Sequence, residues 1–285
     1  MMHARTVTLP DGSTLAVRVA GGGPPLVMLH AFPLDGRMWA AQEPLAAHAT
    51  LVVPDQRGFG ESAAAGPPAS IEQLADDAVA MLDALGIGGA ATFCGCSMGG
   101  YAAQHVAIRH PSRVQGIVLV DTKLEADTPE ARAARGDLAA KVRRLGQGIL
   151  AEAMVPRLLA PPEAPPTASR RTIEEALRAM IAAQPVETIV GALGLLGARP
   201  DTTEGMRRAA MPALLVVGAE DAITPPDCLE RAAAVMPDAR LVVVPRAGHM
   251  VPLEAPGEFN AAVAAFLRRL RGRDDRAAAG VAPVR

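Results

Sequence analysis

A serine set between glycines, Gly95-Cys96-Ser97-Met98-Gly99, follows the extended run Ala90 to Cys94 and opens a segment that reads as a helix ending near His110. A sharp strand-to-helix turn of this kind strains the backbone and holds its central hydroxyl out at the tip of a sheet, as in a nucleophile elbow. A hydroxyl is a poor nucleophile at neutral pH. It needs an imidazole to take its proton and a carboxylate to keep that imidazole in the right tautomer. Both groups occur downstream, each just past an apolar run: Leu214 to Gly218 leads into Asp221, and Leu241 to Val244 leads into Gly248-His249. The order Ser97, Asp221, His249 points to covalent acyl transfer, with His249 as base and Asp221 as the acid that orients it.

Ser97 and Asp221 have rival readings, whereas His249 has no strong rival. A serine between glycines also suits a plain tight turn. Asp221 could cap the next helix, whose Pro225 and Pro226 suit a first turn. Asp121 also ends an apolar run and stands as the alternative acid. Cys96 offers a thiol beside Ser97, but the apex of an elbow is its third position, so Cys94 and Cys96 read as small buried residues. Among the other histidines, His3 and His48 read as surface groups, His105 and His110 fall on the helix after the elbow, and His30 reads as a loop organiser.

The elements that must position these groups alternate. Val7 to Leu9 and Leu15 to Val19 flank Pro10-Asp11-Gly12 as a hairpin. Runs at Leu26 to His30, Leu51 to Asp55, Ala91 to Cys94 and Val114 to Asp121 are near-continuously apolar, as parallel strands covered on both faces must be. The clearest helix spans Ser70 to Leu85, with a capping box at Ser70 and Gln73 and a terminating Gly86. This β-α-β-α order implies a doubly wound α/β sheet with helices on both faces and ligands at the carboxyl ends of the strands. The segment 123–203 is rich in Ala, Arg and Leu and has no strand-like run, so it reads as a helical cap inserted between core parts 1–122 and 204–271. Its prolines at Pro161-Pro162 and Pro165-Pro166 suggest a kinked connector, and 272–285 reads as a disordered tail.

Composition narrows the function. At 285 residues and 50% hydrophobic, the chain can build one large core without disulfides or metals. A net charge of −2 gives no basic footprint for nucleic acid or an anionic membrane. The three cysteines, Cys94, Cys96 and Cys228, form no C-x-x-C pair and no even set, which points to a reduced compartment and no zinc. The N-terminus carries no apolar signal core, and the apolar runs are too short for a membrane span. A cytoplasmic location is expected.

Four ordered motifs resemble those of the α/β-hydrolase fold family over nearly the whole chain. They are the elbow; His30-Ala31-Phe32-Pro33, similar to the family's His-Gly oxyanion loop; Asp55-Gln56-Arg57-Gly58-Phe59-Gly60-Glu61-Ser62, similar to its Asp-x-Arg-Gly-x-Gly-x-Ser turn; and Gly248-His249 followed by Pro252 and Glu254. The departure is Ala31, where the family usually has Gly. The resemblance implies a mostly parallel eight-stranded sheet with a helical cap, and an oxyanion hole from the backbone N–H groups of Phe32 and Met98. It also implies a small-molecule carboxylic ester or lactone as substrate and no cofactor. Within the family the elbow and cap are similar to small esterases, the 3-oxoadipate enol-lactonase group, perhydrolases and carbon–carbon bond hydrolases. A catalytically silent binding protein on the same fold is the alternative from another class. The Asp55 to Ser62 stretch is expected only to fix a turn, with Arg57 tied to neighbouring carbonyls.

Overall fold

The computed structural model describes residues 2–161 and 168–278. Its strands form one sheet: β1 (His3–Thr8), β2 (Thr14–Ala20), β3 (Pro25–Leu29), β4 (Thr50–Pro54), β5 (Ala91–Cys96), β6 (Val114–Val120), β7 (Ala213–Gly218) and β8 (Ala239–Val244). Their spatial order is β1-β2-β4-β3-β5-β6-β7-β8. The β1–β2 hairpin and the β2–β4 pair are antiparallel; every pair from β4 through β8 is parallel. Every residue of β5 and β7 is buried, which is why these strands read as unbroken apolar runs and not as alternating ones.

The helices in chain order are α1 (Ile71–Ala84), α2 (Met98–Arg109), α3 (Pro129–Leu145), α4 (Gly148–Leu158), α5 (Ala168–Ala182), α6 (Val186–Ala198), α7 (Thr203–Arg208), α8 (Pro226–Val235), α9 (Val251–Glu254) and α10 (Pro256–Ala278). At the start of α1 the Ser70 hydroxyl accepts from the Gln73 backbone N–H at 3.1 Å. The reciprocal half of the expected capping box is displaced by one residue, because Gln73 Oε1 accepts from the N–H of Ala69 at 2.7 Å. Gly86 takes up φ +76° at the other end, and the Ile87 N–H closes back onto the Leu82 carbonyl at 2.8 Å.

With one Trp, one Tyr and five Phe in the chain, the core is mainly aliphatic. Its few large rings sit at the centre: Trp39, Phe59, Phe93 and Phe259 are fully buried, and Trp39 packs on Phe259 with ring centroids 6.0 Å apart. Helices α3 to α6 intervene between β6 and β7 and lie within the expected 123–203 insertion. Residues 162, 165 and 166 of the proline-rich connector lie outside the described residues. Helix α10 continues past Arg271 to Ala278, so the expected tail does not begin at 272; residues 279–285 lie outside the described residues.

The Asp55 to Ser62 turn is held by side chains. Ser62 donates to the Asp55 carbonyl at 2.7 Å and accepts from the Ala16 N–H at 2.9 Å, while Asp55 accepts from Gly36 and Glu61. Arg57 departs from expectation. Its guanidinium is bidentate to Asp77 on α1 at 2.6 and 2.9 Å and also reaches Asp11. A buried cation is better balanced by carboxylates than by neutral carbonyls, and the nearest carbonyl, Ala65, is 3.5 Å away. Among the described residues no single helix is long and apolar enough to cross a membrane; α5 and α6 have the length together but meet at 98°.

Candidate active site

The elbow forms where β5 turns into α2. Ser97 takes φ 50°, ψ −111°, a conformation that L-residues adopt only under constraint. The constraint comes from close backbone approach on either side. A Cβ on Gly95 would lie 2.0 Å from the Gly99 carbonyl oxygen, and a Cβ on Gly99 would lie 2.1 Å from the Leu29 carbonyl oxygen. Only glycine fits these two positions. Ser97 N–H donates to the Val120 carbonyl at 2.9 Å, continuing the β5–β6 ladder up to the apex.

The three candidate residues meet at the carboxyl edge of the sheet. Ser97 Oγ lies 2.9 Å from His249 Nε2, and His249 Nδ1 lies 2.8 Å from Asp221 Oδ2. His249 and Asp221 are buried. The contact fixes the tautomer: Nδ1–H donates to the carboxylate, leaving Nε2 to accept from the serine hydroxyl. The capping alternative for Asp221 is realised at the same time by its other oxygen, because Oδ1 accepts from the N–H groups of Ile223 and Thr224 at 2.8 and 2.9 Å. These bonds belong to a turn that precedes α8. The Thr224 hydroxyl, which the sequence reading missed, also donates to Asp221 Oδ2 at 2.7 Å. Burial alone would raise the Asp221 carboxyl, but His249 and Thr224 hold it below the ordinary carboxylate range.

Among the described residues, Asp121 makes no hydrogen bond to His249. Its Oδ1 accepts from Gly218 N–H at 3.0 Å and its Oδ2 from Val251 N–H at 3.1 Å, tying the loop after β7 to the start of α9. Burial, and then the charge of Asp221, push this carboxyl well above its ordinary value. Of two neighbouring buried carboxyls, the one with a histidine partner therefore keeps the negative charge. Burial likewise pushes the Cys94 and Cys96 thiols up, which leaves Cys96 protonated and inert beside Ser97.

The loop after β3, expected to supply oxyanion donors, is organised by His30. Its Nε2 accepts from the Gln56 N–H at 2.9 Å, and Nδ1–H donates to the Ala31 carbonyl at 3.0 Å. Burial lowers its pKa, so the ring is a neutral brace between the ends of β3 and β4. Ala31 is not among the residues with positive φ, so its Cβ costs the loop nothing. Among the described residues, neither the N–H of Phe32 nor that of Met98 has a protein acceptor. Met98 is the first residue of α2, where the first N–H groups lack intrahelical partners and the helix end carries partial positive charge.

The helical insertion, expected as a cap, is bonded to the loops around this site. Gln184, between α5 and α6, donates from Nε2 to Asp35 Oδ2 at 3.0 Å, and its Oε1 accepts from Gly60 N–H at 2.9 Å. Arg199, just past α6, pairs with Asp127 at 2.7 Å and lies 4.3 Å above the Tyr101 ring of α2. No short-range signal in the sequence marks either contact.

A profile of the alpha/beta hydrolase fold matches residues 24–256. The dihydrolipoyllysine-residue acetyltransferase component of an acetoin cleaving system from Pseudomonas putida is 31% identical over 252 residues. That match covers 87% of this chain and 64% of the relative, so the chain spans less than two thirds of that protein. 3-Oxoadipate enol-lactonase 2 of Acinetobacter baylyi is 31% identical over 221 residues, which is 75% of this chain and 77% of the relative. Among solved structures, a thermophilic esterase from Thermogutta terrifontis with malate bound superposes with a TM-score of 0.87 at 37% identity, covering 94% of this chain and 99% of that one.

Proposed function

This chain belongs to the α/β-hydrolase fold family, and from that premise we propose that it hydrolyses a carboxylic ester or lactone of a small molecule through an acyl-enzyme. The observation that carries this reading is the unbroken chain from Ser97 through His249 to Asp221, with hydrogen-bond steps of 2.9 and 2.8 Å, ending at a strained elbow. The likeness to an esterase and an enol-lactonase supports the same bond class, since a lactone is an ester closed on itself.

His249 Nε2 removes the Ser97 proton as Oγ attacks the substrate carbonyl, and Asp221 stabilises the imidazolium that forms. The negative charge that develops on the carbonyl oxygen is met by the N–H groups of Phe32 and Met98, which have no other acceptor among the described residues and need no reorganisation. His249 then gives its proton to the leaving alkoxide. Water, deprotonated by the same nitrogen, attacks the acyl carbon; the bond to Ser97 Oγ breaks, Oγ takes the proton back from His249, and the carboxylic acid leaves. Replacement of Ser97 by Ala should abolish hydrolysis of an activated ester, with a loss of about a millionfold, without unfolding the protein. Fluorophosphonate labelling of the wild type at Ser97, and its absence in Ser97→Ala, is the accompanying check. Retention of more than a few per cent of activity by the purified variant would remove Ser97 from the mechanism.

A further inference from the structure

Glu254 has no part in acyl transfer, yet its carboxylate stands next to the base. Its Oε1 accepts from the Gly248 N–H at 2.8 Å, one residue before His249. Its Oε2 accepts from the N–H of Ala160, also at 2.8 Å, which belongs to the cap just past the end of α4. The two backbones are pressed together at this point. A Cβ on Gly248 would lie 2.4 Å from Ala160 N and 2.5 Å from the Leu159 carbonyl carbon. Across the histidine, Asp121 Oδ2 holds the Val251 N–H, so the loop 248–251 is fastened at both ends by buried or half-buried carboxyls.

The base must reach Ser97 and Asp221 at once, and catalytic groups tolerate only small displacements from productive geometry. The strap at Val251 ties the loop to the sheet. The strap at Gly248 ties it to the sheet's cover as well, because the same carboxylate holds Ala160. From these contacts we propose that Glu254 is a positioning residue for His249 and that its second oxygen makes the histidine's alignment depend on how the cap is seated. The proposal rests on the reading of His249 as the base.

The test is Glu254→Gln, which keeps the shape but turns an NH2 group toward one of the two N–H donors, so one strap must be lost. All kinetics are measured well below the melting temperatures of both proteins. The expected result is a fall in kcat of about tenfold or more on a small activated acetate ester, with KM little changed, since a partial misplacement costs less than the hundredfold of a full ångström. Fluorophosphonate labelling of Ser97 should slow by the same factor. Amide hydrogen exchange should quicken in the peptide containing Gly248 and in the one containing Ala160. A folded variant with wild-type kcat and labelling overturns the positioning role; faster exchange at Gly248 with none at Ala160 overturns the coupling to the cap. If Glu254→Gln does not fold, the same measurements on Glu254→Asp, which keeps the charge on a shorter arm, decide in the same way. Hydrolysis surviving in Ser97→Ala would sink the acyl-enzyme reading instead, and the exchange pattern is independent of that outcome.

Discussion

Two aspartates compete for one role, and their partners separate them. Asp221 faces His249 Nδ1 at 2.8 Å, whereas Asp121 spends both oxygens on the backbone N–H groups of Gly218 and Val251. Asp221→Asn should leave the fold intact but lower kcat by roughly ten-thousandfold, because the amide favours the wrong imidazole tautomer. Asp121→Asn should behave differently. It sets an NH2 group against one of two buried N–H donors, so it should cost about 1–3 kcal/mol of stability with a much smaller fall in kcat. Urea melts and steady-state kinetics on both variants check this, and reversed effects would move the acid to Asp121. At the same scale, burial raises the thiols of Cys94, Cys96 and Cys228. A disulfide reagent such as DTNB should therefore label none of them in the native enzyme and all of them after unfolding.

At the scale of the element, α1 shows how local rules set boundaries. Its Ser70 cap and Gly86 stop are chain-local, so both ends were legible in the sequence. Ser70→Ala removes the acceptor for the Gln73 N–H and should cost about 1 kcal/mol, read as a lower urea midpoint with unchanged slope. The acyl-transfer kinetics should not move, because the Ser70 hydroxyl bonds to the Gln73 N–H at the start of α1 and not to Ser97, His249 or Asp221. An altered kcat in Ser70→Ala would mean that α1 carries strain into the site. The elbow is legible for the same reason. Glycines at 95 and 99 answer steric demands on their own backbone, and those demands show as residue type.

The whole molecule couples protonation to folding. His30 and His105 are held neutral, chiefly because burial disfavours their charged forms. In the unfolded chain they take up protons below about pH 6.5. The unfolded state then binds more protons than the folded one, so stability is full above that pH and falls as pH drops toward the depressed folded values. At still lower pH, Asp35 and Asp127 add a second loss. Burial would raise their carboxyls, but Arg37 and the pair Arg135 and Arg199 hold them below the ordinary range. Asp121 and Glu254, whose carboxyls burial raises, act in the opposite sense over the same range. The histidine contribution is therefore read as a difference: between about pH 7 and 5 the urea midpoint of the wild type should fall more, or rise less, than that of His30→Gln. Identical slopes in wild type and variant would exclude His30 from the linkage.

The sequence alone determined what nearby residues decide: the strand and helix periods, the hairpin, the caps of α1, the elbow, and the chain order of serine, acid and histidine. Each is set by sterics or hydrogen bonds within a few positions, and so leaves a residue type at a fixed spacing. Only the tertiary structure decided which aspartate faces the histidine, that Arg57 is matched by carboxylates, and that Thr224, Gln184 and Glu254 bond respectively to Asp221, to the loops at Asp35 and Gly60, and to Gly248. Most of those contacts join residues far apart in the chain: Asp121 and Val251 are 130 positions apart, Asp35 and Gln184 are 149 apart, and Ala160 and Glu254 are 94 apart. Thr224 reaches Asp221 over three positions, but a short-range hydroxyl contact of this kind carries no distinctive spacing. A side-chain amide or carboxylate that satisfies a distant backbone N–H looks, in sequence, like any other polar residue. Its partner exists only once the sheet has brought the carboxyl ends of β3, β6, β7 and β8 to one edge and Ala160 and Gln184 of the inserted segment have met the loops beside them.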